Sequence, residues 1–426
     1  MKSTATDTTN GIQPLWILQQ GHPKYTPPPA IDPSVANGLS GIPYWNGISG
    51  NSPSGELGYS FAIQRQVSST SSFEVDYLAT LASHLTSNIL ALNQVPYRSL
   101  PASLNPFTAA GRTALGSLVG SATANAAGVS SPWTCAAGST GCVPFNTLWG
   151  NGASVSQAMR PYPQYGYIDS QLGGGDRAGH STYNAFIVKY NKRMGAGLTV
   201  QASYKLSKWL GDADASTSSS AGGDQYDRRL LKSIMGGDQT HVVLFTYAYE
   251  LPFGKGKALL SNRGVAAAIL GGWRISGIQS YASGTPMALT SPISFPIGEY
   301  TNQAQITTYN GWGGNYSGRF DPNTELYLQP QSFFPTQDYS SFGNATRYNP
   351  KMRYWPSFNE NENVARTFNL KEKAHLEFRF EGFNVLNRVA FGPLGGATTL
   401  TNANWGKWGA QANNPRRMQL VARLTW

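Results

Sequence analysis

The chain has 426 residues and a formal net charge of +10, yet only 13% of them are charged, while 12% are aromatic and 40% hydrophobic. So many aromatics exclude a disordered chain, and so few charges argue against an ordinary cytosolic enzyme. No apolar run approaches the roughly 20 residues of a membrane-crossing helix, the nearest being Val265–Leu270, which leaves crossing by strands open.

Segments of period-two alternation recur along the chain. The first, 57–66, sets Tyr59, Phe61 and Ile63 against Ser60, Gln64 and Gln66; the second, 73–81, sets Phe73, Val75, Tyr77 and Leu81 against Glu74, Asp76 and Thr80. Segment 181–192 carries Phe186, Val188 and Tyr190 on one side. Segment 197–208 alternates most cleanly, with Leu198, Val200, Ala202, Tyr204 and Leu206 opposing Thr199, Gln201, Ser203, Lys205 and Ser207. Segment 240–251 presents Val243, Phe245, Tyr247, Tyr249 and Leu251, and 273–282 is a weaker strand. Arg366 interrupts the apolar side of 363–370, and 375–385 opposes Leu376, Phe378 and Phe380 to Glu377, Arg379 and Glu381. The chain closes on 418–426, where Met418, Leu420, Ala422, Leu424 and Trp426 share a side and Gln419, Arg423 and Thr425 take the other. These are about nine strands near the ~10-residue length of a tilted membrane strand. Tyr204, Phe245, Tyr247, Phe378, Leu420 and Leu424 are expected to face lipid; Gln201, Lys205, Glu377, Arg379 and Arg423 are expected to face a polar interior.

The connectors alternate in length. Those after 66, 192, 251 and 370 are short or of middle length, and those after 81, 208, 282 and 386 are long. Outer-membrane barrels have short periplasmic turns and long extracellular loops. The pattern therefore predicts an all-β, antiparallel up-and-down transmembrane β-barrel portion of about nine to eleven strands. The 99–119 stretch of the first long connector is a candidate short helix. No repeat of fixed period stands out, which disfavours a propeller or solenoid.

Little in the sequence points to catalysis, and no enzyme activity or cofactor is expected. The five histidines, His22, His84, His180, His241 and His375, are dispersed without an i, i+4 pair, so a zinc site has no pattern to rest on. Asp212, Asp214, Asp224, Asp227 and Asp238 make one connector acidic without the spacing of a calcium loop. Cys135 and Cys142 bracket a Gly/Ser-rich spacer that lets them meet as a disulfide in an oxidising compartment; free thiols are the alternative, and neither a redox nor a zinc motif fits. The aromatics Trp312, Tyr316, Tyr327 and Trp355 are candidate ligand-contact residues, since exposed rings stack on sugars and grip peptides. The competing reading has the aromatics of that loop packing together to order it. The basic residues are scattered, which suits anionic lipid headgroups and not nucleic acid.

Several motifs, weak singly, occur in an informative order: Ser60-Phe61-Ala62-Ile63-Gln64-Arg65-Gln66, Ser181-Thr182-Tyr183-Asn184-Ala185, Ala202-Ser203-Tyr204-Lys205-Leu206-Ser207-Lys208, Gly271-Gly272-Trp273, Ser283-Gly284-Thr285-Pro286, Phe383-Asn384-Val385-Leu386-Asn387 and Asn413-Asn414-Pro415-Arg416. With Tyr249-Glu250-Leu251-Pro252-Phe253-Gly254-Lys255-Gly256-Lys257, they give a chain that resembles the C-terminal barrel part of Oar-like TonB-dependent receptors. The resemblance implies location in the cell outer membrane and a receptor or active-transport role. It implies contact with outer-membrane lipid and a TonB-type energising partner acting through a plug. It also implies an assembly signal at Leu420, Leu424 and Trp426, read by the barrel-assembly machinery. Within that frame, 1–56 reads as an extracellular-loop-like segment and 57–426 as the C-terminal part of the barrel, an incomplete one whose export signal and plug lie elsewhere. A non-transporting surface adhesin and a secreted carbohydrate-binding protein are the alternatives.

Overall fold

The computed structural model describes residues 53–426 except 88, 91, 130–153, 163–167, 169–175, 196, 214–223, 225, 255, 262–263, 290, 298–305, 307–318, 337 and 371–373. Its centre is a meander of β1 (Gly55–Ser68), β2 (Ser71–Ser87), β3 (Asp176–Gly195), β4 (Leu198–Gly211), β6 (His241–Glu250), β7 (Trp273–Ala282), β10 (Ser357–Asn369), β11 (His375–Phe383) and β14 (Arg417–Thr425), hydrogen-bonded in that order. The two-residue β5 (Ser233–Ile234) adds to β4. Two small pairs lie apart: β8 (Pro286–Met287) with β9 (Asn349–Arg353), and β12 (Phe391–Pro393) with β13 (Trp408–Gln411). Every pairing between these strands is antiparallel. All nine alternating segments are strands of this sheet. Among the described residues β1 pairs only with β2, and β14 only with β11, so both edges are open and the sheet is not closed.

The register fixes the faces, because directly opposed residues of an antiparallel pair point to the same side. Tyr204 opposes Val188 and Val243, and Phe378 opposes Arg366 and Ala422. Followed strand by strand, one face collects Phe61, Tyr77, Phe186, Tyr204, Phe245, Tyr247, Phe378, Leu420 and Leu424. The other collects Glu74, Lys189, Gln201, Lys205, Glu377, Arg379 and Arg423, so the expected partition holds throughout. On the polar face Lys189 bridges Glu74 at 2.8 Å and Asp76 at 2.6 Å, and Arg379 reaches Glu381 at 3.4 Å.

Hydrophobic burial is inverted relative to a water-soluble sheet. Phe61 (64% exposed) and Leu420 (82% exposed) project from the strands, while the most deeply buried apolar side chains, Trp408, Leu104, Leu115 and Met287 among them, lie in the long connectors or the short β-pairs within them. Strands whose apolar side faces outward need a lipid solvent.

β10 begins earlier than the alternation predicts, at Ser357 instead of residue 363. The added residues place Glu360 and Glu362 on the apolar face, which hides the pattern. Both carboxylates are held: Glu362 accepts from Tyr247 Oη and Gln279 Nε2, each at 2.6 Å, and Glu360 accepts from Arg388 Nε at 2.7 Å. Arg366 stands among rings, its guanidinium 4.3 Å from the Phe368 centroid, and donates to Ile269 O at 2.8 Å. That carbonyl ends the short apolar helix Val265–Leu270, so a cation on an apolar face leaves it by reaching a helix C-terminus. Gly272, at φ +77°, takes the chain from that helix into β7.

The partition makes Phe380→Arg the informative substitution. In the assembled barrel it is expected to cost about 2–4 kcal/mol, less toward the interfaces. Arg379→Gln, on the polar face, is expected to change the urea midpoint little. Equal midpoints for the two variants would overturn the facing.

Candidate functional site: the outer loop assembly

The connectors at one end of the sheet are short or of middle length; the long ones, at the other end, run between β2 and β3, β4 and β6, β7 and β10, and β11 and β14. These four long loops pack on one another. Val95, Leu104, Leu115 and Val119 of the first share a core with Phe295 and Ile297 of the third. Ile89 of the first meets Ala213 and Leu231 of the second. Met287, Phe320, Tyr327 and Phe334 of the third, with Met352 of β9, meet Leu400, Trp405 and Trp408 of the fourth. The expected helix within 99–119 is the α-helix Ala109–Gly116, capped by Thr108 Oγ1 accepting from Gly111 N at 3.0 Å, with Ala114 and Leu115 turned into the first core.

Polar locks tie the same loops together. Arg353 donates to Asp238 Oδ2 at 2.9 Å, Asp238 O at 3.1 Å, Thr240 Oγ1 at 2.8 Å and Gly284 O at 2.9 Å. Asp238, with no side-chain exposure, also accepts from Trp209 N at 2.8 Å. Gly284 sits so close to the Tyr354 carbonyl that a Cβ would overlap it, which accounts for the glycine of Ser283-Gly284-Thr285-Pro286. Asp224 accepts from Gln94 Nε2 at 3.1 Å and from Tyr97 Oη, joining the second loop to the first. Burial, and then that hydrogen bond, push the Tyr97 phenol up to about 12. Arg347 Nη1 donates to Asp212 O at 3.3 Å, joining the third loop to the second.

A further knot explains two sequence motifs at once. Asn384, at φ +49°, accepts from Arg388 N at 2.9 Å and donates to Arg388 O at 2.9 Å and Asn414 O at 3.1 Å. Asn413 accepts from Ala390 N at 2.9 Å and donates to Arg388 O at 2.8 Å. Asparagine suits both roles because it tolerates the left-handed region and carries donor and acceptor together. Phe383-Asn384-Val385-Leu386-Asn387 and Asn413-Asn414-Pro415-Arg416 thus clamp the two ends of the fourth loop.

The residues singled out from the sequence fare differently. Tyr327 is a core residue: it is 8% exposed, its ring lies 4.5 Å from Trp408, and its hydroxyl donates to Arg353 O at 3.0 Å. Trp355 is half-buried at the edge of that cluster, 5.3 Å from Tyr327. Trp312, Tyr316, Cys135 and Cys142 lie outside the described residues. Of the acidic connector, Asp212, Asp224, Asp227 and Asp238 are engaged by Arg228, Arg98, Arg229 and Arg353, and no group of three His, Cys, Asp or Glu placed to hold a metal occurs among the described residues. Leu420 is strongly exposed and Leu424 half exposed on the apolar face of the last strand, and Trp426, just beyond that strand, is strongly exposed.

A family model described as an outer membrane beta barrel domain matches residues 1–419. The chain belongs to the outer membrane β-barrel domain family. It is a protein of the cell outer membrane, its apolar face is the lipid face, and its four long loops are extracellular. A comparison with curated proteins gives no match. Among solved structures, the ferripyoverdine receptor of the outer membrane of Pseudomonas aeruginosa is similar at 9% identity, with 88% of this chain and 27% of that chain covered and a TM-score of 0.36. The ferric citrate transporter FecA is similar at 8% identity, with 87% and 31% covered and a TM-score of 0.34. The outer membrane transporter YddB from Escherichia coli is similar at 8% identity, with 87% and 32% covered and a TM-score of 0.33. The chain therefore spans about a third or less of the length of these structures.

The Arg353 lock is the stiffest test of the loop assembly. Arg353→Ala strands a buried carboxylate, which typically costs about 3–5 kcal/mol. The variant is expected to lose protease resistance in the second and third loops while the strands stay heat-modifiable. Unchanged cleavage would show that the loops are held independently of this ion pair.

Proposed function

We propose that the chain contributes the C-terminal strands of a larger outer-membrane receptor barrel of the TonB-dependent, Oar-like type, whose outer loop assembly receives the transported substrate. The observation that supports this most is strand parity. Among the described residues the meander has nine strands on its path, so β1 and β14 both run toward the short-turn end. Closing on itself would force a parallel pair into an otherwise antiparallel sheet, whereas single-chain bacterial barrels close with an even number. Left open in hydrocarbon, each unpaired edge group costs several kcal/mol. An odd number of further strands resolves both problems, and a transporter barrel of about 22 strands supplies it. In this reading the energising partner acts on a plug that these nine strands do not provide, and no catalytic step is involved.

Trp312, Tyr316 and Trp355 are the aromatics assigned to substrate contact, with Tyr327 supporting Trp355 from beneath. Cys135 and Cys142 are assigned to a disulfide in the first loop. Residues 1–56 are assigned to an extracellular loop and 57–426 to the barrel.

Engineered cysteines test the parity argument. With a cysteine at Gln64 of β1 paired in turn with one at Gln419, Val421 or Arg423 of β14, no intramolecular disulfide is expected after oxidation in outer membranes. A high yield for any pair would mean a self-closed nine-strand barrel and sink the proposal.

Leu420, Leu424 and Trp426 are assigned to the signal read by the barrel-assembly machinery, since an exposed edge strand is recognised by β-augmentation and a terminal ring anchors it at the interface. In a chain joined to the strands that complete it, Trp426→Phe is expected to keep the amount of surface-exposed, heat-modifiable barrel, and deletion of Trp426 to reduce it. Equal amounts in all three proteins would leave Trp426 as an interfacial belt residue only.

A further inference from the structure

The lipid face carries a groove of about 740 Å³ near the extracellular end of the sheet. Its floor is Tyr77, Phe186 and Leu206 of β2, β3 and β4; β5 adds Ile234, and Pro350 and Arg353 of β9 lie at its upper wall. The register orders its chemistry by height. Asn184 and Lys208 are directly opposed, and the next same-face pair toward the periplasm is Phe186 with Leu206, both exposed. Tyr77 opposes Phe186 from the other side and donates from Oη to Asn184 Oδ1 at 2.8 Å. That bond occupies the amide oxygen and leaves the amide NH₂ as a donor. Lys208 is exposed, and neither an ion pair nor a hydrogen bond engages it among the described residues. A free cation and an amide donor therefore sit immediately above an apolar trough, on the side of the sheet that meets lipid and toward its long-loop end.

We propose that this groove is a specific seat for an anionic acylated lipid of the outer leaflet, a phosphorylated glycolipid. Its phosphate is received by Lys208 Nζ and Asn184 Nδ2, and one acyl chain lies along Phe186 and Leu206, on the periplasmic side of that pair. Charge and geometry both favour this occupant. A neutral lipid leaves Lys208 without a counter-charge at a low-dielectric boundary, where an ammonium is costly unless paired. Free phosphate leaves the apolar trough exposed. An anion over an acyl chain satisfies both parts with the vertical order the strands already have. The inference depends on the lipid face and not on the transport reading, so either can fail alone.

The test compares Lys208→Glu with Lys205→Glu. The two lysines lie three residues apart on β4 but on opposite faces, so the control removes the same charge from the polar face. The full chain, joined to the strands that complete its barrel, is extracted from outer membranes and washed stringently in neutral detergent. Retained lipid is read by native mass spectrometry, and folding is checked by heat-modifiability. Wild type and Lys205→Glu are expected to keep one phosphorylated, acylated glycolipid per chain. Lys208→Glu is expected to lose it at least fivefold, and Asn184→Ala to lose it partly. Dephosphorylated lipid A is expected not to restore binding when added back, phosphatidylglycerol to compete weakly, and inorganic phosphate not at all. Equal retention in Lys208→Glu and Lys205→Glu, or displacement by inorganic phosphate, would overturn the proposal. If Lys208→Glu fails to become heat-modifiable, Lys208→Gln provides the same comparison without the charge reversal.

Discussion

Two solvents act on one sheet, and nearly every other property follows from that. Lipid on one side and a polar interior on the other require each strand to change character at every residue. A one-residue slip would carry charges into hydrocarbon, so register is held tightly. The ladders through Tyr204, Phe245 and Phe378 on one face and through Lys205, Glu377 and Arg379 on the other are that requirement written in side chains. Two of its exceptions are discharged locally. Arg366 reaches the carbonyls that end a helix, and Glu362 takes two hydrogen bonds from neighbouring strands.

Because the strands give their apolar side to lipid, they form no hydrophobic core of their own. The packed interior of this protein lies instead in its loops. Three clusters bind the first loop to the second and third, and the third to the fourth, while Asp238–Arg353 and Asp224–Tyr97 fix the same loops by polar contacts. A loop normally carries the conformational cost of its own ordering. Here the cost is met jointly, since residues such as Phe295, Leu115 and Trp408 are buried only because another loop covers them.

The nine strands, their facing and the alternation of connector lengths were legible in the sequence because period two is a local property. What failed to show was whatever depends on a distant partner. Segment 357–362 looked unlike a strand because its carboxylates are made tolerable by Tyr247, Gln279 and Arg388, which are far away in sequence. For the same reason the sequence leaves Tyr327 between ligand contact and loop packing: an aromatic loop looks alike whether its rings face water or, as here, Trp408. Asp238 was visible as one of five acidic residues, but its guanidinium partner stands 115 positions later. The Asn384 and Asn413 motifs were recognisable as a pair only by resemblance; the hydrogen bonds between their two ends supply the cause.

The shared cores also bear on how such a surface can change over generations. Loops that fold separately diverge separately, each free to gain or lose residues without consulting the rest. Loops that complete one another do not have that freedom. An insertion beside Phe295 must be accommodated by Leu115, and a smaller residue at Trp408 leaves a hole that Tyr327 feels. New specificity in this architecture therefore arises more readily from exposed positions between the clusters, or from exchange of the whole set of loops as one inherited block.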